Sequence, residues 1–288
     1  MSIFPASIDD ATMHRIQQAV KWTVYTLLII NFVFYIFEDT RRAAFTLHSG
    51  STLLDWTSAF ANTIDVSAWF ILLAMFEIET YVLDDDKLKG RLATLLHGVR
   101  LVCILMIAHT IYAYAIYVSD LKPTVAIPNV TSLCELTNEN VSFVYNLEYT
   151  DIDENNCSQL SDATEFFRVA NDPVVSDLKG LSLERDLALA DLAEAVLWIL
   201  VLVAIEIIVR LQGHGITSGA VITTVNYTKY AIYTALLALG VYWATLSHWL
   251  YLWDELVWIG GFAAIEMNLS EWREEIDERK DHNEELAT

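Results

Sequence analysis

The sequence predicts an all-α polytopic membrane protein, with six transmembrane helices arranged as three similar helical hairpins and a small extracytoplasmic insertion. Three observations indicate this class. Apolar residues make up 55% of the 288-residue chain, which is more than a soluble domain of this length usually contains. They form six segments close to the roughly 20 residues that a helix needs to cross a bilayer. A pattern of acid, tryptophan and glutamate also recurs on every second segment.

The six predicted spans follow one another with connections of unequal length. They cover residues 19–37, 64–83, 98–118, 190–211, 229–248 and 250–270. Residues 1–18 are polar and amphipathic, with no short apolar core before a cleavage site, so we expect the first span to be retained. Residues 271–288 form a charged tail that could pair with another helix or stay solvated.

The positions of Lys and Arg in the short connections predict the orientation of the chain in the membrane. The densest basic cluster lies between spans two and three and consists of Lys87, Lys89, Arg91 and Arg100. We therefore expect this connection and both termini in the cytoplasm, and the protein in a plasma membrane or a bacterial inner membrane. Arg41 and Arg42, in the first outer connection, argue mildly against this orientation.

Residues 119–189, between spans three and four, are predicted to form an acidic extracytoplasmic domain. Cys134 and Cys157 both lie in it, and disulfides persist on that side of a membrane, so we predict a bridge between them. One stretch, "DIDENNCSQLSD", partly matches the spacing of a calcium-binding loop at Asp151, Asp153, Asn155 and Asp162. The expected glycine and the final glutamate are missing, which favours an acidic surface loop over a metal site.

The repeated pattern is a carboxylate, a tryptophan four residues later and a glutamate eight residues after the tryptophan. Its copies lie on spans two, four and six, and the first includes "WFILLAMFEI" from Trp69. The outer carboxylates are Asp65, Glu194 and Asp254, the tryptophans are Trp69, Trp198 and Trp258, and the glutamates are Glu77, Glu206 and Glu266. These residues share one broad side of each helix, and about 18 Å of helical rise separates the two carboxylate layers.

The repeated residues have structural and functional interpretations, which the sequence leaves open. The odd-numbered spans begin with Lys21, Arg100 and Lys229. These could form ion pairs with Glu77, Glu206 and Glu266, respectively, and so fix the register of each hairpin. The three glutamates could instead line a cation or proton pathway. The outer carboxylates could be solvated at the interface or attract cations.

The tryptophans and the polar residues near the midplane also have both a structural and a functional interpretation. The three tryptophans could pack or anchor the helices at the interface, or they could narrow a pore mouth. Asn31 and His109 interrupt apolar runs near the midplane. A histidine there acts either as a hydrogen-bonding residue or as a proton relay.

Composition and motifs limit the function. The net charge of −21 and the lack of a basic stripe exclude a nucleic-acid partner. No catalytic motif is present, so we expect no enzymatic activity and no cofactor beyond a bound cation. The sequence favours a cation or proton channel or transporter. The alternative is a membrane scaffold or sensor subunit that binds a protein partner, or a second copy of the chain, through its outer domain or tail.

Overall fold

The computed structural model describes residues 10–78, 91–122, 126–170, 172–214, 216 and 218–262. These residues form seven α-helices: α1 (Asp10–Thr46), α2 (Leu53–Ala59), α3 (Ala61–Glu77), α4 (Arg91–Asp120), α5 (Leu178–Gly213), α6 (Ala220–Thr245) and α7 (residues 249–262). The predicted cytoplasmic tail, Glu266 and most of the basic connection before α4 lie outside the described residues.

Three of the described helices are long and apolar enough to cross a membrane. They are Gln18–Thr46 in α1, Arg91–Asp120 in α4 and Leu178–Gln212 in α5. The short helix α2 and the first part of α3 pass the same test together, although they are bent by 69° at the break between them. The structure therefore supports a membrane protein with three or four candidate spans, and the six predicted spans stay a prediction.

Residues 126–177 contain a small sheet, so the prediction of an all-α fold is wrong in this region. The strands are β1 (Ser142–Tyr145), β2 (Glu148–Asp151), β3 (Phe166–Arg168) and β4 (Val174–Asp177). Their order is β2-β1-β4-β3, with β1 and β4 parallel and the two outer pairs antiparallel. Strands of four residues or fewer show too little alternation to be recognised in a sequence.

Both faces of the sheet are buried. Val144, Val174 and Phe167 lie in a cluster that also includes Leu181 and Ala188 of α5. Phe143, Phe166 and Val175 lie in a second cluster with Leu133, Leu136 and Cys157. The second cluster contains the predicted disulfide, which is confirmed: Cys134 and Cys157 are bonded, with their Cα atoms 4.9 Å apart. Short strands are thus stabilised by burial on two sides and by a covalent link.

The chain forms two compact units. The terminal unit comprises Met1–Asn31 and Val196–Thr288, and the central unit comprises Phe32–Ala195. In the terminal unit, α6 and α7 approach closely at Gly240, where a Cβ atom would meet the backbone of Leu252 at 3.3 Å. The ring of Trp243 stacks on that of Tyr251 with centroids 4.5 Å apart. In the central unit, α3 packs on α4 and the sheet packs on the first part of α5.

Candidate functional site

Asp39 of α1 caps the N-terminus of α3 in the central unit. The side chain of Phe60, which precedes α3, makes no capping hydrogen bond. The Asp39 carboxylate instead accepts hydrogen bonds from the backbone N–H of Thr63 at 2.8 Å and from the Thr63 hydroxyl at 2.7 Å. Asp39 is only 2% exposed. A buried carboxylate here satisfies an unpaired N–H group and lies at the positive end of the helix dipole.

Side chains of helix α4 also stabilise the chain at the break between α2 and α3. The hydroxyl of Tyr114 donates to the side-chain oxygen of Asn62, and the side-chain amide of Asn62 donates to Asp39 at 3.3 Å. The hydroxyl of Thr110 lies 3.4 Å from the carbonyl oxygen of Ala61. A bend in a membrane helix is tolerated when neighbouring helices bond the backbone groups it releases. The start of α3 meets this condition.

The first copy of the repeated pattern has a direct bond between its acid and its tryptophan. The indole N–H of Trp69 donates to the Asp65 carboxylate at 3.0 Å. Residues four apart on a helix are neighbours, and this separation suits such a bond. Trp69 is buried, at 7% exposure. The spacing of acid and tryptophan therefore has a local structural reason in this copy.

Several carboxylates lie within electrostatic range of Tyr114 in the central unit. Its hydroxyl interacts electrostatically with the carboxylates of Asp191, Asp65, Asp39 and Glu194. The guanidinium of Arg42 also belongs to this region, because it interacts with Asp191 and Asp39. Arg42 lies over the ring of Tyr117, 4.7 Å from its centroid. Two of the predicted outer carboxylates, Asp65 and Glu194, thus act on one phenol together with acids that the repeat does not include.

A second buried polar contact lies in the terminal unit. The side-chain amide of Asn31 donates to the Asp254 carboxylate at 2.7 Å. The two residues are 1% and 7% exposed, and the neighbouring Glu255 is 1% exposed. Asn31 is the fourteenth residue of the 29-residue candidate span Gln18–Thr46. A predicted midplane residue and a predicted outer carboxylate therefore meet at the middle of this span.

Two of the three repeated tryptophans contact each other, also in the terminal unit. The rings of Trp198 and Trp258 are 6.3 Å apart. Phe262 lies 5.2 Å from Trp198, and Tyr233 lies 6.5 Å from it. Trp69 belongs to the central unit. The aromatic residues of the terminal unit form a packed cluster, and a ring of three indoles around a pore stays a prediction.

Glu206 has a partner on its own helix. Its carboxylate forms an ion pair with Arg210 at 2.6 Å, and the two side chains are 58% and 75% exposed. The predicted pairing of Glu206 with Arg100 joins residues of two separately described units and stays a prediction. The predicted pairs of Glu77 and Glu266 fall outside the described side chains.

The three basic residues of the predicted pairs differ in their surroundings. Lys229 is 4% exposed, and its ammonium group lies 3.4 Å from the side-chain oxygen of Asn226. The ammonium group of Lys21 lies 5.8 Å from the ring centroid of Tyr25. Arg100 is exposed. Lys229 is thus the one of these three cations that is deeply buried.

Among the described residues, no three His, Cys, Asp or Glu side chains are close enough to hold a metal ion. In the loop with partial calcium-site spacing, Asp153 accepts hydrogen bonds from the backbone N–H groups of Asn155 and Asn156. Asp151 lies at the end of β2 and accepts a hydrogen bond from Ser142, and Asp162 lies beyond the turn. These bonds stabilise the turn, and a calcium site there stays a prediction. On α4, Nε2 of His109 is buried and has no hydrogen-bond partner in the described part of the chain.

Outside the candidate spans, burial perturbs two groups near the sheet. It raises the pKa of Asp172 to about 6, although the charges of Arg42 and His48 act in the opposite direction. Burial also raises the pKa of Tyr149. Carboxyl groups with a raised pKa occur at functional sites and at structural ones. Asp172 lies in the turn between β3 and β4, and we treat it as a determinant of stability.

Four important residues were not candidates in the sequence: Asp39, Tyr114, Asp191 and Glu255. None of the four belongs to the repeated spacing of acid, tryptophan and glutamate. A charged residue inside a predicted apolar span was the signal that could have identified Asp191, whereas Asp39 lies two residues beyond the predicted first span. No family model, curated protein or solved structure matches the chain, so the functional argument depends on the geometry of these side chains.

Proposed function

We propose that the protein conducts or transports protons or small cations across a membrane. One observation carries this proposal: carboxylates from three helices lie within electrostatic range of the hydroxyl of Tyr114 on a fourth helix. The acids are Asp39 on α1, Asp65 on α3, and Asp191 and Glu194 on α5. Acidic side chains inside membrane helices are energetically costly and usually mark a pathway for ions or protons.

Hydrogen bonds explain part of this cluster. Asp39 caps α3, and Asp65 accepts from Trp69. Asp191 and Glu194 lie one turn apart on α5, and Arg42 is the cation that acts on Asp191. Like charges one turn apart on a helix favour the uptake of protons or cations. We therefore assign Asp191 and Glu194 to the pathway and give Asp39 a structural role.

In this proposal the outer carboxylates of the repeat have a larger role in the pathway than the inner glutamates. Glu206 is exposed and bonded to Arg210, which suits a surface ion pair. Asp254 is buried against Asn31, and Asp65 is bonded to Trp69. Carboxylates that face neighbouring helices fit a pathway better than carboxylates on an exposed helix face do.

Flux measurements in liposomes test the proposal. Purified protein is reconstituted with a trapped pH-sensitive dye, and proton flux is measured under an imposed potential with Na⁺, K⁺ or neither present. We expect Asp191→Asn and Glu194→Gln each to lower the flux by about tenfold or more, because each removes a pathway charge. Glu206→Gln is the matched control and should retain wild-type flux.

Two results would contradict the assignment. Wild-type protein that passes neither protons nor cations at any tested pH and voltage would exclude transport. Equal flux in wild type, Asp191→Asn and Glu194→Gln would exclude this cluster from the pathway.

The alternative function, a membrane scaffold or sensor subunit, has one specific observation in its favour. The sheet is linked to the helices of the central unit through Phe45 of α1, whose ring stacks on that of Tyr149 at 5.5 Å. Arg42 and Tyr117 lie beside the same strand. A partner bound to the outer domain could act on α1 and α4 through these contacts. A protein that passes no ions but binds a membrane partner only with its disulfide intact would support this function.

A further inference from the structure

The short helix α2 has an apolar side that no described residue covers. Leu53 and Trp56 are three residues apart and share one side of the helix, with Leu54 at its edge. Leu53 is 81% exposed, Leu54 is 44% exposed and Trp56 is 51% exposed. Asp55, which forms the capping box with Thr52, lies on the opposite side. The helix is therefore amphipathic, and its apolar side faces away from the described chain.

The bend after α2 sets the direction of this helix relative to the spans. Helix α3 packs on α4, which is one of the candidate spans. Helix α2 is bent by 69° from α3, so it runs closer to the membrane plane than to the membrane normal when α3 follows α4 across the membrane. Its seven residues form about 10 Å of helix, which is too short to cross a bilayer alone.

The exposed side chains of α1 mark the edge of the hydrocarbon region beside α2. The exposed large apolar side chains of α1 end at Phe37, which is 69% exposed. Arg41, one turn later on the same face, is exposed as well. The exposed face therefore changes from apolar to charged at the level of Asp39. Because Asp39 bonds Thr63 in the first turn of α3, the end of α2 lies near this level too.

The lengths of the long helices give the same depth. The candidate span Gln18–Thr46 has 29 residues, about 43 Å of helix, and would project about 7 Å from each side of a 30 Å hydrocarbon core if centred. Asp39 lies about 10 Å before the end of this span. Tyr114, which bonds Asn62, lies about 9 Å before the end of α4 at Asp120. Both helices thus place the break after α2 within about 4 Å of the hydrocarbon boundary.

We propose that α2 is a lipid-binding helix that lies in the membrane interface, with Leu53 and Trp56 inserted among the upper acyl chains. The sheet lies on the same side of the membrane, because Phe45, near the end of α1, stacks on Tyr149. Amphipathic interfacial helices bury their apolar side about 5–10 Å into the boundary between headgroups and acyl chains. Tryptophan is enriched at this level, since its ring is apolar and its N–H group can bond to headgroups or water.

The bilayer fits this surface better than a protein partner does. A stable protein interface buries about 800 Å² on each partner, and three side chains on a seven-residue helix offer much less. The lipid-facing surface of α1 also reaches the same depth at Phe37. Lipid binding by α2 is independent of ion transport, so a protein that passes no ions would still have this interfacial helix.

Spin labels on the full chain in phosphatidylcholine bilayers test the depth of α2. Cysteine is placed at position 53 or 56 in a Cys103→Ala background, since Cys103 is the free cysteine. Molecular oxygen concentrates in the acyl chains, whereas a neutral nickel chelate stays in water. We expect labels at 53 and 56 to be relaxed more by oxygen than by the chelate, as at the lipid-facing control position 37. The exposed Glu139 in the sheet region is the aqueous control and should show the reverse order.

A second measurement leaves the cysteines unchanged and compares the wild type with Trp56→Phe, which keeps an aromatic ring. The difference between their emission spectra isolates Trp56 from the other tryptophans. We expect lipids with bromine near the carbonyl end of the acyl chain to quench this difference by about half, and lipids with bromine near the methyl end to quench it less.

Three results would overturn the lipid-binding role. A label at 56 that is relaxed mainly by the nickel chelate would place α2 in water. A label at 56 that is shielded from both reagents would show that a protein partner or a second copy covers the helix. Emission of Trp56 that neither brominated lipid quenches would exclude contact with the acyl chains.

Discussion

Replacement of Asp39 tests whether this residue holds the broken helix in place. The carboxylate bonds the Thr63 backbone at 2.8 Å and the Thr63 hydroxyl at 2.7 Å, at 2% exposure. Loss of a buried, charged hydrogen bond costs about 1.5–3 kcal/mol, and loss of the charge at the helix N-terminus costs about 0.3–1 kcal/mol more. We therefore expect Asp39→Ala to lower the free energy of unfolding by about 3 kcal/mol.

Two further variants separate this cause from a general effect of mutation. Asp39→Asn keeps an oxygen acceptor, and asparagine caps helices about as well as aspartate, so the loss should be about 1 kcal/mol. Asp55→Ala removes the acid of an exposed capping box, which Asp55 forms with Thr52, the N-cap of α2, and should also cost about 1 kcal/mol.

Denaturant unfolding in detergent micelles, followed by circular dichroism, measures these differences. The reasoning is refuted if Asp39→Ala loses no more stability than Asp55→Ala. It is also refuted if Asp39→Asn is as unstable as Asp39→Ala, because the hydrogen bond to Thr63 would then contribute nothing.

Two other predictions concern the sheet. The pKa of Asp172 rises from 3.8 to about 6, so the folded state holds this proton more tightly, and stability should fall as pH rises from about 4 to 6. Asp172→Asn should thus stabilise the protein by about 2–3 kcal/mol above pH 6 and by little at pH 4; an equal gain at both pH values in thermal unfolding would contradict this. Leu147 has a φ of 61° after Asn146 in the β1–β2 turn, and Leu147→Gly should raise stability by about 1 kcal/mol because glycine adopts this conformation without strain. A lower melting temperature for Leu147→Gly would show that the packing of the leucine side chain outweighs its backbone strain.

The sequence predicted the features that depend on composition and local spacing. The helical segments follow from runs of apolar residues, and the bridge between Cys134 and Cys157 follows from their shared place in an outer segment. The start of α5 was harder to predict from the sequence. This helix begins at Leu178, twelve residues before the predicted span, because Leu181 and Ala188 pack on the sheet. A helix that is partly membrane span and partly domain core carries two different patterns.

The long-range contacts could not be read from the sequence. Asn31 and Asp254 are 223 residues apart, and only the folded chain shows that one bonds the other. The cap on α3 comes from Asp39, a residue on a different helix. Rules for helix caps consider neighbours in sequence, so they cannot predict a cap from a distant residue. The sequence identified which polar residues were unusual but could not identify their partners.

The repeated acid and tryptophan can now be interpreted copy by copy. In the first copy, the tryptophan donates to the acid four residues earlier, so the spacing satisfies the polar tip of a buried indole. In the third copy, the carboxylate of Asp254 accepts a bond from Asn31, while Trp258 packs on Trp198. One spacing therefore serves two arrangements. In the first copy the acid completes a bond within its own helix, whereas in the third copy it joins two helices of the terminal unit. The same residue types at the same spacing therefore do not imply the same role in each copy.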